Sequence, residues 1–172
     1  MSVRVDKSLA LAIHDRQLAE HGGTSGVRDE GLLESALARP QQPHAYGDPP
    51  SDLADPAAAL AYGLARNHPF VDGNKRTAAV CCETFVEMNG ALLHADDLEL
   101  YPQYLALAEG NLSESEFALW LRARIRAGPG IRRMSNVSLI ARGAGHARPR
   151  VHARPRYFVS ASITTTIPDF PT

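Results

Sequence analysis

"DPAAALAYGLARNHPFVDGNKRTAAVCCETFVEMNG", residues 55–90, reads as two helices joined by a short polar loop, and the fold follows from it. Asp55 stands as an N-cap with Pro56 at the first helical position, and Leu60 and Leu64 stack one turn apart. His68 precedes Pro69, which pushes it out of the right-handed helical region, so this helix is expected to end near His68. The next is expected to begin near Asn74 and run to Asn89, with Gly90 just past its end. Ala78, Cys81, Phe85 and Met88 make its apolar stripe, alternating small and large as the centre of a helical core requires.

Further helices extend on both sides. "DKSLALAIHDRQLAEHGG" (6–23) starts at an Asp6 cap and ends at Gly22, with Leu11 and Leu18 on one face and Ile13 beside them. "RDEGLLESALARP" (28–40) has Asp29 as N-cap, an apolar face of Leu33, Ala36 and Leu37, and Pro40 as its stop. "ADDLELYPQYLALAEG" (95–110) is helical around Pro102, which either kinks it or marks its true start. Ser113 and Glu116 form a capping box, Leu112 and Phe117 a hydrophobic staple, and Trp120 and Leu121 carry that last helix to about Ile125. Residues 39–50, "RPQQPHAYGDPP", are expected to be an extended loop or a weak hairpin. The expectation is an all-α bundle of about six helices over 1–127.

From Gly128 onward the helical grammar fails. Residues 128–172 show no stripe and no caps, and favour a poorly ordered tail. Within it "YFVSASITTTI" (157–167) is β-prone and uncharged. Charge divides at the same point: 1–127 carry a net −7 and 128–172 a net +6, within an overall −1. The tail's seven arginines permit weak, salt-sensitive contact with nucleic acid, and specific nucleic-acid binding is not expected. The two cysteines, Cys81 and Cys82, are adjacent and form no ordinary bridge, which is reduced-compartment usage. Without a basic-then-apolar leader or an apolar run of about 18 residues, a soluble cytoplasmic protein without membrane association is expected.

"HPFVDGNKR" (68–76) concentrates the chemistry. The first N–H groups of the helix beginning near Asn74 lack intrahelical partners and face the preceding loop with the positive end of the helix dipole. Such a mouth binds anions, phosphate above all. Gly73 permits the tight turn and close backbone approach. Lys75 and Arg76 add two cations where a helix disfavours them, which makes sense if an anion is bound. Asp72 would be repelled by that anion unless a divalent cation lay between, and Mg²⁺ is commonly held by one carboxylate and substrate phosphates. His68, with an ordinary pKa near 6.5, suits a general base. Together these are the parts phosphoryl or nucleotidyl transfer requires.

Blander readings exist for each residue alone: a capping histidine, an Asp-Gly turn, a solvated basic pair. Phe70 is a core anchor on any reading. A metal cluster of His68, Asp72, His94 and Asp96 is an alternative, although only His68 and Asp72 are closely spaced. Neither a P-loop nor the protein-kinase HRD and DFG motifs is present.

"HPFVDGNKR" resembles the Fic/Doc signature H-x-F-x-[DEN]-[AG]-N-x-R, and with Lys75 is most similar to the Doc, or death-on-curing, branch. The similarity extends through "IHDRQLAEHGGTSGVRDEGLLESALARPQ" and "ALAEGNLSESEFALWLR", covering about 3–127. The resemblance implies a Fic-like helical fold with a flap near His44–Gly47. It also implies ATP and Mg²⁺ as cofactors. Fic adenylyltransferases carry glycine where this chain has Lys75. A lysine there implies an inverted nucleotide presenting its γ-phosphate, hence a kinase, with adenylyl transfer or a catalytically inactive binding module as alternatives.

Carried over by position, His68 would deprotonate the target hydroxyl and Asp72 would bind Mg²⁺. Gly73 and Asn74 would form the anion nest, and Lys75 and Arg76 would hold the ATP phosphates. The implied target is a threonine of elongation factor Tu, with arrest of translation. The implied partner is a Phd-like antitoxin segment lying along a groove. The self-inhibitory S/T-x-x-x-E helix of other Fic branches is not found, which fits inhibition by a separate protein.

Overall fold

The structure, a computed structural model, describes residues 2–41 and 52–128, which lie within the unit Met1–Arg133. The expected flap around 44–47 and, but for Gly128, the expected tail lie outside the described residues. Within them the chain forms six α-helices: α1 Lys7–His21, α2 Glu30–Ala38, α3 Ala54–Asn67, α4 Asn74–Met88, α5 Asp97–Glu109 and α6 Glu114–Arg122. A 3₁₀ turn, Arg39–Gln41, follows α2 around Pro40. The all-α expectation therefore holds, with one small addition. Strands β1 (Ala91–Leu93) and β2 (Ile125–Ala127) pair antiparallel, Leu92 opposite Arg126.

The caps explain most boundaries. Asp6 accepts from the Leu9 N–H, Asp29 from Leu32 and Asp96 from Glu99. Ser113 and Glu116 close the capping box of α6. The start of α3 differs from the expectation. Its N-cap is Leu53, and Asp55 lies inside the first turn with its carboxylate 2.7 Å from Arg122. Asp52 instead accepts from the Ala54 N–H at 3.0 Å. Pro102 interrupts neither end of α5, which is continuous from Asp97. α6 stops at Arg122 rather than Ile125, because Ile125–Ala127 pair with β1.

Helix α3 is the hub, packing against α2, α4, α5 and α6. Its run of alanines lets neighbours approach closely, and Leu60 and Leu64 fill the centre. Each such leucine contributes about 1.5–3 kcal/mol by burial. A Cβ at Gly63 would stand 3.0 Å from Ala36, so α2 and α3 meet backbone to backbone there. On α4 the buried stripe is Ala78, Cys81, Cys82, Phe85 and Val86, while Met88 lies 36% exposed at its edge. α1 buries Ala10, Ile13 and, unexpectedly, His14; Leu11 and Leu18 are only half-buried. Cys81 and Cys82 are buried free thiols, each pushed up to about 12 by burial, and so are unreactive. No helix among the described residues is long and apolar enough to cross a membrane.

Candidate active site at the junction of α3 and α4

The loop between α3 and α4 is fixed from three sides. Phe70 is fully buried and anchors it in the core. Beneath it the His14 ring of α1 stacks on Phe70, and His14 Nδ1 lies 3.1 Å from the Thr77 hydroxyl of α4. Within the loop, the Asn74 side chain accepts from the Phe70 N–H and donates to the Phe70 carbonyl, both at 2.9 Å. From the flank, Arg28 and Asp29 N–H groups donate to the Pro69 carbonyl, and the Val71 N–H donates to the Gly26 carbonyl. These bonds hold the loop in one shape.

His68 closes α3 as expected, with a backbone the sequence does not announce. Its φ and ψ are 47° and 57°, and among the described residues it is the one non-glycine at positive φ. A left-handed histidine costs about 1–3 kcal/mol, strain that recurs at functional positions. The imidazole is half-buried. Burial, then the positive charges of Arg28, Lys75 and Arg66, hold its pKa below the usual value. Both effects favour the unprotonated ring.

Gly73, at φ 72°, turns the chain into α4, which starts with no side-chain cap. The helix mouth keeps its uncapped start, with Lys75 and Arg76 half-buried in its first turn, but the Gly73 N–H expected in the anion nest donates to Asp72 instead. Asn74 does two jobs. Its backbone begins the helix, while its side chain ties the loop to Phe70 rather than facing outward. Arg76 donates to the Gly22 carbonyl at 3.1 Å. Asp72 is exposed, accepting from the Gly73 N–H on Oδ1 and from the Thr24 N–H on Oδ2.

This donor set fits a divalent cation shared with phosphate oxygens: one exposed carboxylate, beside two cations and an uncapped helix mouth. Among the described residues no three histidine, cysteine, aspartate or glutamate side chains gather to hold a metal ion. The alternative cluster of His68, Asp72, His94 and Asp96 is therefore not formed.

Residues missed from sequence surround the motif. His14 and Thr77 lie beneath it, Arg28 beside His68, and the Gly22–Thr24 turn against Asp72 and Arg76. The one available signal was a histidine at a core position of α1, one residue after Ile13.

A family model described as "Fic/DOC family" matches residues 4–86. The protein named Toxin Doc from Mycolicibacterium smegmatis is 55% identical over 76 residues, which are 44% of this chain and 58% of that protein. The matched segment thus spans little more than half the length of that relative. Protein kinase doc of Escherichia phage P1 is 35% identical over 112 residues, 65% of this chain and 87% of that protein.

Proposed function

The chain belongs to the Fic/Doc family, and on that premise we propose that it is a Doc-type toxin acting as a protein kinase. Its proposed reaction moves the γ-phosphate of ATP to a threonine hydroxyl of elongation factor Tu, arresting translation. The observation that carries this reading is that one short loop, pinned by Phe70 and Asn74, joins His68, whose pKa is held down by burial and by Arg28, Lys75 and Arg66, to the uncapped start of α4. The two relatives named as a toxin and a protein kinase support it.

In this account one His68 ring nitrogen takes the target hydroxyl proton as the oxygen bonds to the γ-phosphorus. The bond to the ADP leaving group breaks in the same displacement. Lys75, Arg76 and the backbone N–H groups after Gly73 receive the phosphate charge. Asp72 would hold Mg²⁺, which would supply neutralisation of phosphate charge. On the resemblance, Lys75 would fill the space that adenylyl transfer requires, which favours presentation of the γ-phosphate. A Phd-like antitoxin segment is the proposed partner that restrains the toxin.

Controlled expression in a bacterial host tests the reading. Growth and translation stop with the wild-type chain and continue with His68→Ala. Equal arrest by His68→Ala would mean that the protein acts by binding alone.

A further inference from the structure

The loop from α1 to α2 lies against the charged groups of the site. The Thr24 N–H donates to Asp72 Oδ2 at 3.3 Å, and Arg76 donates to the Gly22 carbonyl at 3.1 Å. Gly23 stands between these two contacts in the chain, at φ 126°. A Cβ placed on it would lie 2.5 Å from Asp72 Oδ2, 2.8 Å from Leu18 Cδ2 and 3.3 Å from an Arg76 guanidinium nitrogen. The first two distances are closer than a Cβ tolerates, so the Asp72 carboxylate and the Leu18 end would have to shift. The backbone conformation favours glycine, and any Cβ would displace the Asp72 carboxylate. The same loop is locked to the motif by Gly26, Arg28 and Asp29 main-chain bonds, so it cannot simply drift away.

We infer that Gly23 is a positioning residue for the phosphate and cation site, letting the loop backbone hold the Asp72 carboxylate and the Arg76 guanidinium in one fixed relation. Each Asp72 oxygen uses one lone pair on a backbone N–H and keeps another for a cation. The N–H groups of Gly73 and Thr24 thereby orient the carboxylate, as outer partners orient metal ligands elsewhere. The Gly22 carbonyl does the same for Arg76. The inference rests on the kinase reading above.

The test compares Gly23→Ala with Gly90→Ala in the full chain. Gly90 is another glycine at positive φ, at the far end of α4, with nothing near its missing Cβ. The readouts are the melting temperature without ligand and the binding of a fluorescent ATP analogue titrated with Mg²⁺. Both variants melt lower than wild type. Gly23→Ala alone raises the Mg²⁺ midpoint, by about tenfold or more. Adding Leu18→Ala removes the second contact and leaves that defect in place, because the contact with Asp72 persists.

An unchanged Mg²⁺ midpoint in Gly23→Ala overturns the inference, as does full recovery with Leu18→Ala. A wild-type chain that binds no nucleotide with Mg²⁺ removes the kinase reading itself, and the inference with it. If Gly23→Ala does not fold, Thr24→Pro, which deletes the N–H donor to Asp72, takes its place with the same expected and contrary results.

Discussion

The ring of His14 lies parallel to that of Phe70, 3.9 Å between centroids and 11° between planes. The pair joins α1 to the motif loop, and the remaining polar contact of His14 reaches Thr77 on α4. Its Nε2 is buried without a hydrogen-bond partner, and burial lowers its pKa. A neutral aromatic ring is thus what the position uses. His14→Ala opens a cavity under Phe70 and should cost about 2–4 kcal/mol in urea unfolding. His14→Phe keeps the stack and sheds an unsatisfied nitrogen, though like His14→Ala it loses the Thr77 contact, so it should cost less. Equal losses would show that stacking contributes little.

Asn74 tests how the loop keeps its shape. Its amide donates to one Phe70 backbone atom and its carbonyl accepts from another. Asn74→Asp replaces the donor with an acceptor facing the Phe70 carbonyl. We expect a loss of about 1–3 kcal/mol locally and faster hydrogen exchange at the Phe70 amide. Unchanged exchange there would show that the flanking bonds to Gly26 and Arg28 suffice.

Some of this was legible in the sequence and some was not. The caps at Asp6, Asp29 and Ser113 were, because each combines a short polar acceptor with a following apolar face. So was the Phe70 anchor. Asp55 misled because Asp-Pro signals a helix start, whereas a tertiary ion pair with Arg122 claims its carboxylate. β1 and β2 have three residues each, too few for alternation to show. His14 was missed because apolar periodicity does not pick out a polar core residue, and its place beside Ile13 was the one hint. The Gly23 approach to Asp72 joins positions 49 apart in sequence, beyond any local signal.

Glu83 on α4 sets a pH dependence of stability. Burial first, then the charges of Asp97 and Glu87, push its carboxyl up to about 7 from an ordinary 4.5. Between those values the folded chain holds a proton that the unfolded chain has released. This contribution to stability therefore falls as pH rises through that window, and is level above it. Glu83→Gln should stabilise the protein by about 1–3 kcal/mol at pH 8 and leave it unchanged at pH 4. Thermal melts across that range measure it, and a variant less stable at pH 8 would refute the assignment.

On the proposed kinase reading, His68 is expected to set the pH dependence of transfer. Its lowered pKa places the acid limb of the rate profile below pH 6.5, since only the unprotonated ring accepts the hydroxyl proton. Arg28 is one of the charges that lower it. Arg28→Gln should move the limb upward. A limb that stays in place would mean that burial, Lys75 and Arg66 set the value without Arg28.

The central claim is most directly tested by incubating the full chain and Mg²⁺ with elongation factor Tu and ATP labelled at either the α or the γ position. The account predicts label on the target from γ-labelled ATP only, and none from either nucleotide with His68→Ala. Label arriving from the α position, or transfer undiminished in His68→Ala, would contradict it.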